Sequence, residues 1–394
     1  MNKNLWLLTF AQGMYLTNNV TFIAINGLVG FALAPLSWLA TLPVMGYVVG
    51  SALSTTLVAR TQKHLGRKRS FQIGLVVACT SALLCAFAVI NRNFWLLNFS
   101  TVVAGFYNAN AQLYRFTAAE LAGPTAKEKA VSWVLAGGVI GAVLGPNLAN
   151  QTRDWFSVPF AGAYLALALV AIIALIAISL IHFKERPIGE VKDLGRPLAE
   201  IMRQPLFVVC VVSASLSYGV MNLLMAATPL AMEICKLPFN QTVLVLEWHV
   251  IGMFAPGFFT GTLIRRWGVL WVMRAGILLY IGCIAIALSG VTLAHFLIAL
   301  FLLGVGWNFL FTSSTTLALE AYRPEERDKA QGAINFFVFL TTALSALSSG
   351  VLITTQGWAL LNWGSIVPLT CIAFALLWLG SKRNDGLHKQ SKIS

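Results

Sequence analysis

Apolar residues in this chain come in long unbroken runs, separated by short polar or basic stretches. Twelve such runs recur, near 5–33, 36–59, 71–90, 94–119, 130–150, 158–183, 206–231, 243–264, 271–290, 295–319, 331–355 and 358–380. A helix crosses a hydrocarbon core of about 30 Å with about 20 residues, and each run reaches that length. The apolar/polar alternation of a barrel strand is missing. The pattern predicts an all-α integral membrane protein with twelve transmembrane helices.

Composition sharpens this reading. Of 394 residues, 58% are hydrophobic and only 10% charged, against about 25% charged in soluble domains. The net charge of +13 raises the question of nucleic acid, and its distribution answers it. With the N-terminus placed in the cytosol, 24 of the 27 Lys and Arg fall in cytosolic segments: the N-terminus, 60–69, 115–129, 184–203, 265–274, 323–329 and the tail. Arg92, Arg153 and Lys236 fall on the other side. This asymmetry orients a multi-pass protein in the inner (plasma) membrane with both termini cytosolic, and it predicts no nucleic-acid partner. The first apolar run is too long for the core of a cleavable signal peptide. Six scattered cysteines with no CxxC pair read as small core residues.

The charged segment "KERPIGEVKDLGRPLAEIMRQP" (184–205) reads as a cytosolic linker between two six-helix halves, 1–183 and 206–380, followed by a cytosolic tail, 381–394. The halves echo one another. "AELAGPTAKEKA" and "LEAYRPEERDKA" share Glu120/Glu320, Pro124/Pro324, Lys129/Lys329 and Ala130/Ala330 at a constant offset of 200. On the same helices Asn108 matches Asn308, and Tyr107 matches Trp307. Gly66 in "KHLGRKR" and Gly268 in "RRWGVLW" align after the second and eighth helices. A parallel six-helix repeat predicts two halves related by an axis along the membrane normal.

The chain resembles the major facilitator superfamily over essentially its whole length. Gly66, Arg67 and Lys68 are similar to that family's loop motif between helices 2 and 3, although Lys63 stands where an aspartate is usual. The run "GGVIGAVLGP" (137–146) is similar to the family's Gly-Pro motif on helix 5, and its small residues also suit close helix packing. The resemblance implies a major facilitator fold of two six-helix bundles, with helices 1, 4, 7 and 10 facing a central cavity.

Ionisable side chains within a span are functional candidates by default. His249 is the only histidine well inside a span, and Glu247 the only acid, near the outer end. On the preceding helix Met221 and Met225 are four apart, as are His249 and Met253. Residues four apart share a helix face. Met225 and His249 each lie ~9 Å below the outer end, and Met221 and Met253 ~15 Å. Thioether and imidazole ligands suit Cu(I). Methionine is also a common filler of apolar cores, and His249 alone can be interhelical hydrogen-bonding glue.

The MxxxM and HxxxM pair, in the setting "WHVIGMFAPGFFTG", resembles the CcoA-like branch of the superfamily, the bacterial copper importers. That resemblance implies Met221, Met225, His249 and Met253 as copper ligands, and copper as the transported substrate for enzymes such as cytochrome oxidase. Relatives in the same wider group are associated with riboflavin import, so the motif narrows the substrate and leaves two open.

The expected function is copper import by alternating access, with import of riboflavin or another small organic solute as the alternative. In the alternative, amide and aromatic side chains carry binding: Asn18, Asn19, Tyr107, Asn108, Tyr114, Trp307 and Asn308. A non-transporting sensor or assembly factor is a third reading, opposed by the short loops. An enzyme is not expected, because no phosphate loop or nucleophile motif is visible. Cys235 is a candidate metal or redox thiol just beyond helix 7, and Glu247 a candidate proton-coupling carboxylate. Glu120, Lys129, Glu320 and Lys329 are candidate cytosolic gate contacts. The expected partners are the copper ion or small-molecule substrate and the lipid bilayer, with no cofactor, and the expected state is a monomer.

Overall fold

A computed structural model describes residues 3–122, 127–183 and 195–390. Among them the chain is almost wholly helical, with no strand. α1 (Lys3–Leu33) leads through a short 3-10 turn at Ser37–Leu39 into α2 (Leu42–Ile90). α2 folds back on itself at Gly66, where φ is +76°. Thr61 and Ser70 then bring their hydroxyls to 2.9 Å, although nine residues of straight helix would separate them by about 14 Å. Positive φ is a conformation that glycine adopts freely and side chains resist. Gly268, at φ +86°, makes the matching turn in the second half, so the aligned pair Gly66/Gly268 marks one device used twice.

α3 (Phe94–Ala111) continues into α4 (Tyr114–Ala122), followed by α5 (Lys127–Thr152) and α6 (Ala161–Ser179). Asn93 caps α3 by accepting from the Leu96 amide at 3.0 Å, which satisfies one of the free amides of the first turn. A short α7 (Leu198–Met202) precedes α8 (Pro205–Ile234). α9 (Phe239–Phe254) and α10 (Gly257–Trp267) form one span bent by 43° across Ala255 and Pro256, because proline has no amide to continue the helical ladder. α11 (Val269–Ser289), α12 (Leu293–Ala318), α13 (Arg327–Thr355), α14 (Gly357–Gly364) and α15 (Ile366–Gln390) complete the chain.

By length and hydropathy alone, eight helices qualify as spans, and α9 with α10 makes nine. That test counts α2 once, and it passes over α5 and the pair α3–α4. Dividing α2 at Gly66 and including those two gives the twelve spans of the sequence pattern. Their outer faces carry bare apolar side chains such as Phe374, Ile140 and Leu53, a surface that belongs against lipid rather than water.

Packing within the first half depends on close backbone approach. Gly137, Gly141 and Gly145 on α5 lie against Thr9, Gly13 and Thr17 on α1, where an added Cβ would meet main-chain atoms. The Thr21 hydroxyl donates to the Gly145 carbonyl at 2.8 Å across the same crossing. Small residues are what allow such contact between membrane helices.

Beyond the spans, Arg196 is clasped to the second half. Its Nε donates to Glu326 Oε1 and its Nη2 to Oε2, both at 2.8 Å. The Arg196 amide also reaches Oε1, and Lys329 Nζ donates to the Arg196 carbonyl at 2.8 Å. The Arg196 guanidinium and the Arg323 and Arg196 amides hold the Glu326 carboxyl well below the usual carboxylate range. A carboxyl lowered on folding stabilises the folded state above its ordinary pKa, and that contribution is lost only as pH falls toward the lowered value. The clasp is therefore expected to survive a change from pH 7 to pH 5. Glu326→Ala should speed tryptic cleavage after Arg203 in the purified protein, since the Arg196–Pro197 bond resists trypsin. A cleavage rate equal to wild type would refute the clasp.

Candidate substrate cavity

A cavity of about 320 Å³ lies between the two halves. Its lining comes from α1, α2, α3 and α4 on one side, and from α8, α9, α12 and α13 on the other. The two sides differ in chemistry.

The first-half wall is polar and hydrogen-bonded. The Tyr15 hydroxyl donates to Asn108 Oδ1 at 2.6 Å, and Asn108 Nδ2 donates to Ser51 Oγ at 2.7 Å. Asn19 Nδ2 donates to the Tyr47 hydroxyl at 3.2 Å, and Gln112 Nε2 donates to the Tyr15 hydroxyl at 3.4 Å. Buried amides and hydroxyls are costly unless partnered, and these partner one another. Gln12, Tyr15 and Asn19 recur at spacings of three and four and so share one face of α1, while Asn108, Gln112 and Arg115 carry a similar spacing across the break between α3 and α4.

The second-half wall is aromatic and thioether. Trp307 and Phe311, four apart on α12, stack with centroids 5.2 Å apart and planes 9° apart. Tyr218 meets both edge-on at 5.4 and 5.5 Å, and Phe254 approaches Trp307 at 6.4 Å. The Trp307 indole N–H is buried with no partner among the described residues. Met221, Met225 and Met253 add to this wall, and Asn222, Asn335 and Thr342 are its polar members.

The halves meet at the end opposite the basic loops. Phe160 and Phe239 pack edge to face at 5.2 Å, and Arg153 lies over both rings at 5.2 and 5.4 Å. Asn147 on α5 donates to the Glu247 carboxylate on α9. The Gly350 amide donates to Thr41 Oγ1 at 3.0 Å, and Val44, Ala226 and Ala346 form a small apolar cluster beside it.

Of the seven residues expected to carry binding in a cavity, Asn19, Asn108 and Trp307 line it, and Tyr114 is buried edge-on to Tyr15 at 6.5 Å. Asn18 and Tyr107 are buried beside the cavity, Tyr107 edge-on to Tyr15 at 5.9 Å. Asn308 instead ties α12 to the bend between α9 and α10. Its Nδ2 donates to the Met253 carbonyl, and its Oδ1 accepts from the Thr260 hydroxyl, both at 2.7 Å.

Three of the four residues of the methionine and histidine pair line the cavity, and His249, whose Nε2 is buried with no partner among the described residues, is not part of that lining. Met221, Met225 and Met253 face the cavity, whereas His249 is fully buried with Nδ1 2.7 Å from the Leu300 carbonyl on α12. Cys235 ends α8, and burial raises its thiol pKa above the ordinary value. Arg67 pairs with Glu120 at 2.6 Å and donates to the Thr117 hydroxyl at 2.6 Å. Lys68 beside it has no partner among the described residues, Glu320 is exposed past the end of α12, and the Lys129 side chain lies outside the described residues.

Arg115 and Glu326 are functional features that the sequence reading passes over. The charge count places Arg115 with the cytosolic loop charges, but the structure puts it on the cavity wall. It is the only Asp, Glu, Lys, Arg or His in the described lining. The spacing of Asn108, Gln112 and Arg115 was the available signal.

The sequence model described as Major Facilitator Superfamily matches residues 5–256 and 210–393. The chain belongs to the major facilitator superfamily. Its fold agrees, with no reliance on sequence likeness: a point mutant of the nucleoside transporter NupG superposes with a TM-score of 0.75 at 14% identity, covering 95% of this chain and 99% of that one. A bacterial homologue of the human lysosomal transporter Spinster, in an inward-facing and occupied conformation, gives 0.72 at 13% identity, over 96% of each chain. Among curated relatives, the riboflavin transporter RfnT of Brucella anthropi is 35% identical over 385 residues, covering 96% of both chains. The uncharacterised MFS-type transporter YddS of Bacillus subtilis is 26% identical over 86% of this chain and 82% of its own. This superfamily member is a multi-pass membrane transporter and not an enzyme.

Copper import, and with it the copper-importer branch, is overturned at this point. The relative that matches nearly end to end at 35% identity is a riboflavin transporter. The lining accords with this: its one charge is cationic, His249 is not among its residues, and the methionines stand beside aromatic rings. Among the described residues no three His, Cys, Asp or Glu side chains are grouped to hold a metal ion.

Proposed function

We propose that the protein imports riboflavin, or a flat heteroaromatic solute of the same kind, across the inner membrane by alternating access. The observation that carries this reading is the two-sided cavity, amide and hydroxyl groups facing stacked aromatic rings. Its volume of about 320 Å³ suits an organic ligand, since such clefts run from about 300 to 1,000 Å³. Riboflavin has a planar tricyclic ring with a polar edge and a hydroxylated chain. The ring lies against Trp307, and the hydroxyls and polar edge meet the opposite wall. The methionines serve as apolar walls, with polarisable sulfur against the ring. The 35% identity to a riboflavin transporter supports the same reading.

Substrate enters when the contacts at Phe160–Phe239, Asn147–Glu247 and Thr41–Gly350 part, and leaves toward the basic end when they re-form. The two halves, 1–183 and 206–380, rock about the cavity, with both termini on the cytosolic side as the basic loops require. Purified protein should quench riboflavin fluorescence on binding. Trp307→Ala should weaken affinity about tenfold or more, the scale of losing one aromatic stack. Undiminished affinity in that variant would place the ring elsewhere.

A further inference from the structure

Arg115 is the one charge on the cavity wall, and the described residues leave it unpaired. No carboxylate or carbonyl among them accepts from it, and its Nε is buried with no partner. The ring of Phe116 lies 4.9 Å from its guanidinium carbon. It sits within electrostatic reach of Tyr15 on the polar wall and Tyr218 on the aromatic wall. Tyr218 in turn touches Trp307 and Phe311 edge-on, so the guanidinium stands at the border of the two walls. An unpaired cation at membrane depth is costly, and its fork of donors matches two neighbouring acceptors.

Resting on the flavin-type reading above, we propose that Arg115 is the specificity-determining residue of the cavity. It donates to a pair of adjacent acceptors, a carbonyl oxygen and the ring nitrogen beside it, on the edge of a flat heterocycle that lies against Trp307. The substrate class is then a planar heterocyclic dione or equivalent ring with a carbonyl beside an unprotonated ring nitrogen, neutral or anionic. Flat cations of the same size are rejected, because nothing in the described lining offsets the guanidinium charge. The flavin ring meets this requirement at its C4 carbonyl and N5, which lumichrome shares, and the hydroxylated chain is left to the amides around Asn19 and Asn108.

The test compares three probes on the purified full-length protein: riboflavin, lumichrome and proflavine. Lumichrome keeps the tricyclic dione and lacks the hydroxylated chain; proflavine is a flat tricyclic cation without a dione. Wild type is expected to bind the first two and not the third. Arg115→Gln should weaken both diones about 10- to 100-fold, the scale of a lost hydrogen bond to a charged group, and let proflavine bind. Arg115→Lys, which keeps the charge without the fork, should fall between. Thermal unfolding of each variant without ligand separates recognition from folding: a structural role would lower stability and weaken all probes alike. Riboflavin binding that persists within threefold in Arg115→Gln overturns this inference and leaves the flavin reading intact. Lumichrome binding without riboflavin binding overturns the flavin reading and leaves the dione inference standing. If wild type binds neither dione, both fall.

Discussion

Asn108→Leu is expected to cut riboflavin uptake by at least tenfold at equal membrane expression. Asn108 is the hub of the polar wall, accepting from the Tyr15 hydroxyl at 2.6 Å and donating to Ser51 Oγ at 2.7 Å. Leucine fills a similar volume but takes away the acceptor and the donor together. Each buried hydroxyl left unpaired costs about 1–3 kcal/mol. The wall would relax by turning those groups toward other partners, and the surface that meets the substrate's polar groups would be lost with them. Initial uptake rates over a range of riboflavin concentrations, in cells with matched protein levels, measure the effect. Uptake within twofold of wild type would remove Asn108 from the account.

Gly141→Leu should prevent a folded first half from forming. A Cβ at Gly141 would overlap the Gly13 carbonyl and crowd the Thr17 amide, both on α1. Ordinary over-packing of a core costs about 1–3 kcal/mol because side chains can shift. Here the obstacle is backbone, so the two helices must separate along their crossing and lose the Thr21–Gly145 hydrogen bond as well. Size-exclusion chromatography of a fluorescent fusion should show aggregate or no protein for Gly141→Leu, while Gly261→Leu, with nothing within 4 Å of its added Cβ, should elute like wild type. A monodisperse Gly141→Leu peak would contradict the close crossing of α1 and α5.

The spans were legible in the sequence because burying a helix in lipid depends on summed hydropathy, which is local. The twin turns at Gly66 and Gly268 were legible for a similar reason: a repeat and a glycine point to one backbone shape. Helix rotation was not. The spacing of His249 and Met253 says that they share a face, but not which neighbour that face meets. The Leu300 carbonyl on α12 holds the imidazole while Val250 and Met253 take the cavity side, a choice made by packing between segments about 50 residues apart. Arg115 was hidden by a boundary: it lies just past the break at Gln112–Leu113, where a charge near the end of an apolar run reads as the start of a loop. The clasp of Glu326 was not legible because it joins residues 130 apart, although the repeat does mark one of its members, Lys329.

The central claim is that this chain moves a flavin-like solute rather than a metal ion. Uptake of radiolabelled riboflavin, with radiolabelled copper run in parallel, tests it most directly in cells that express wild type, Trp307→Ala or the double variant Met221→Ala/Met225→Ala. Riboflavin accumulation by wild type, strongly reduced by Trp307→Ala, with copper at the level of empty cells, is the predicted result. Copper accumulation that the double methionine variant abolishes, with no riboflavin uptake above background, would contradict it.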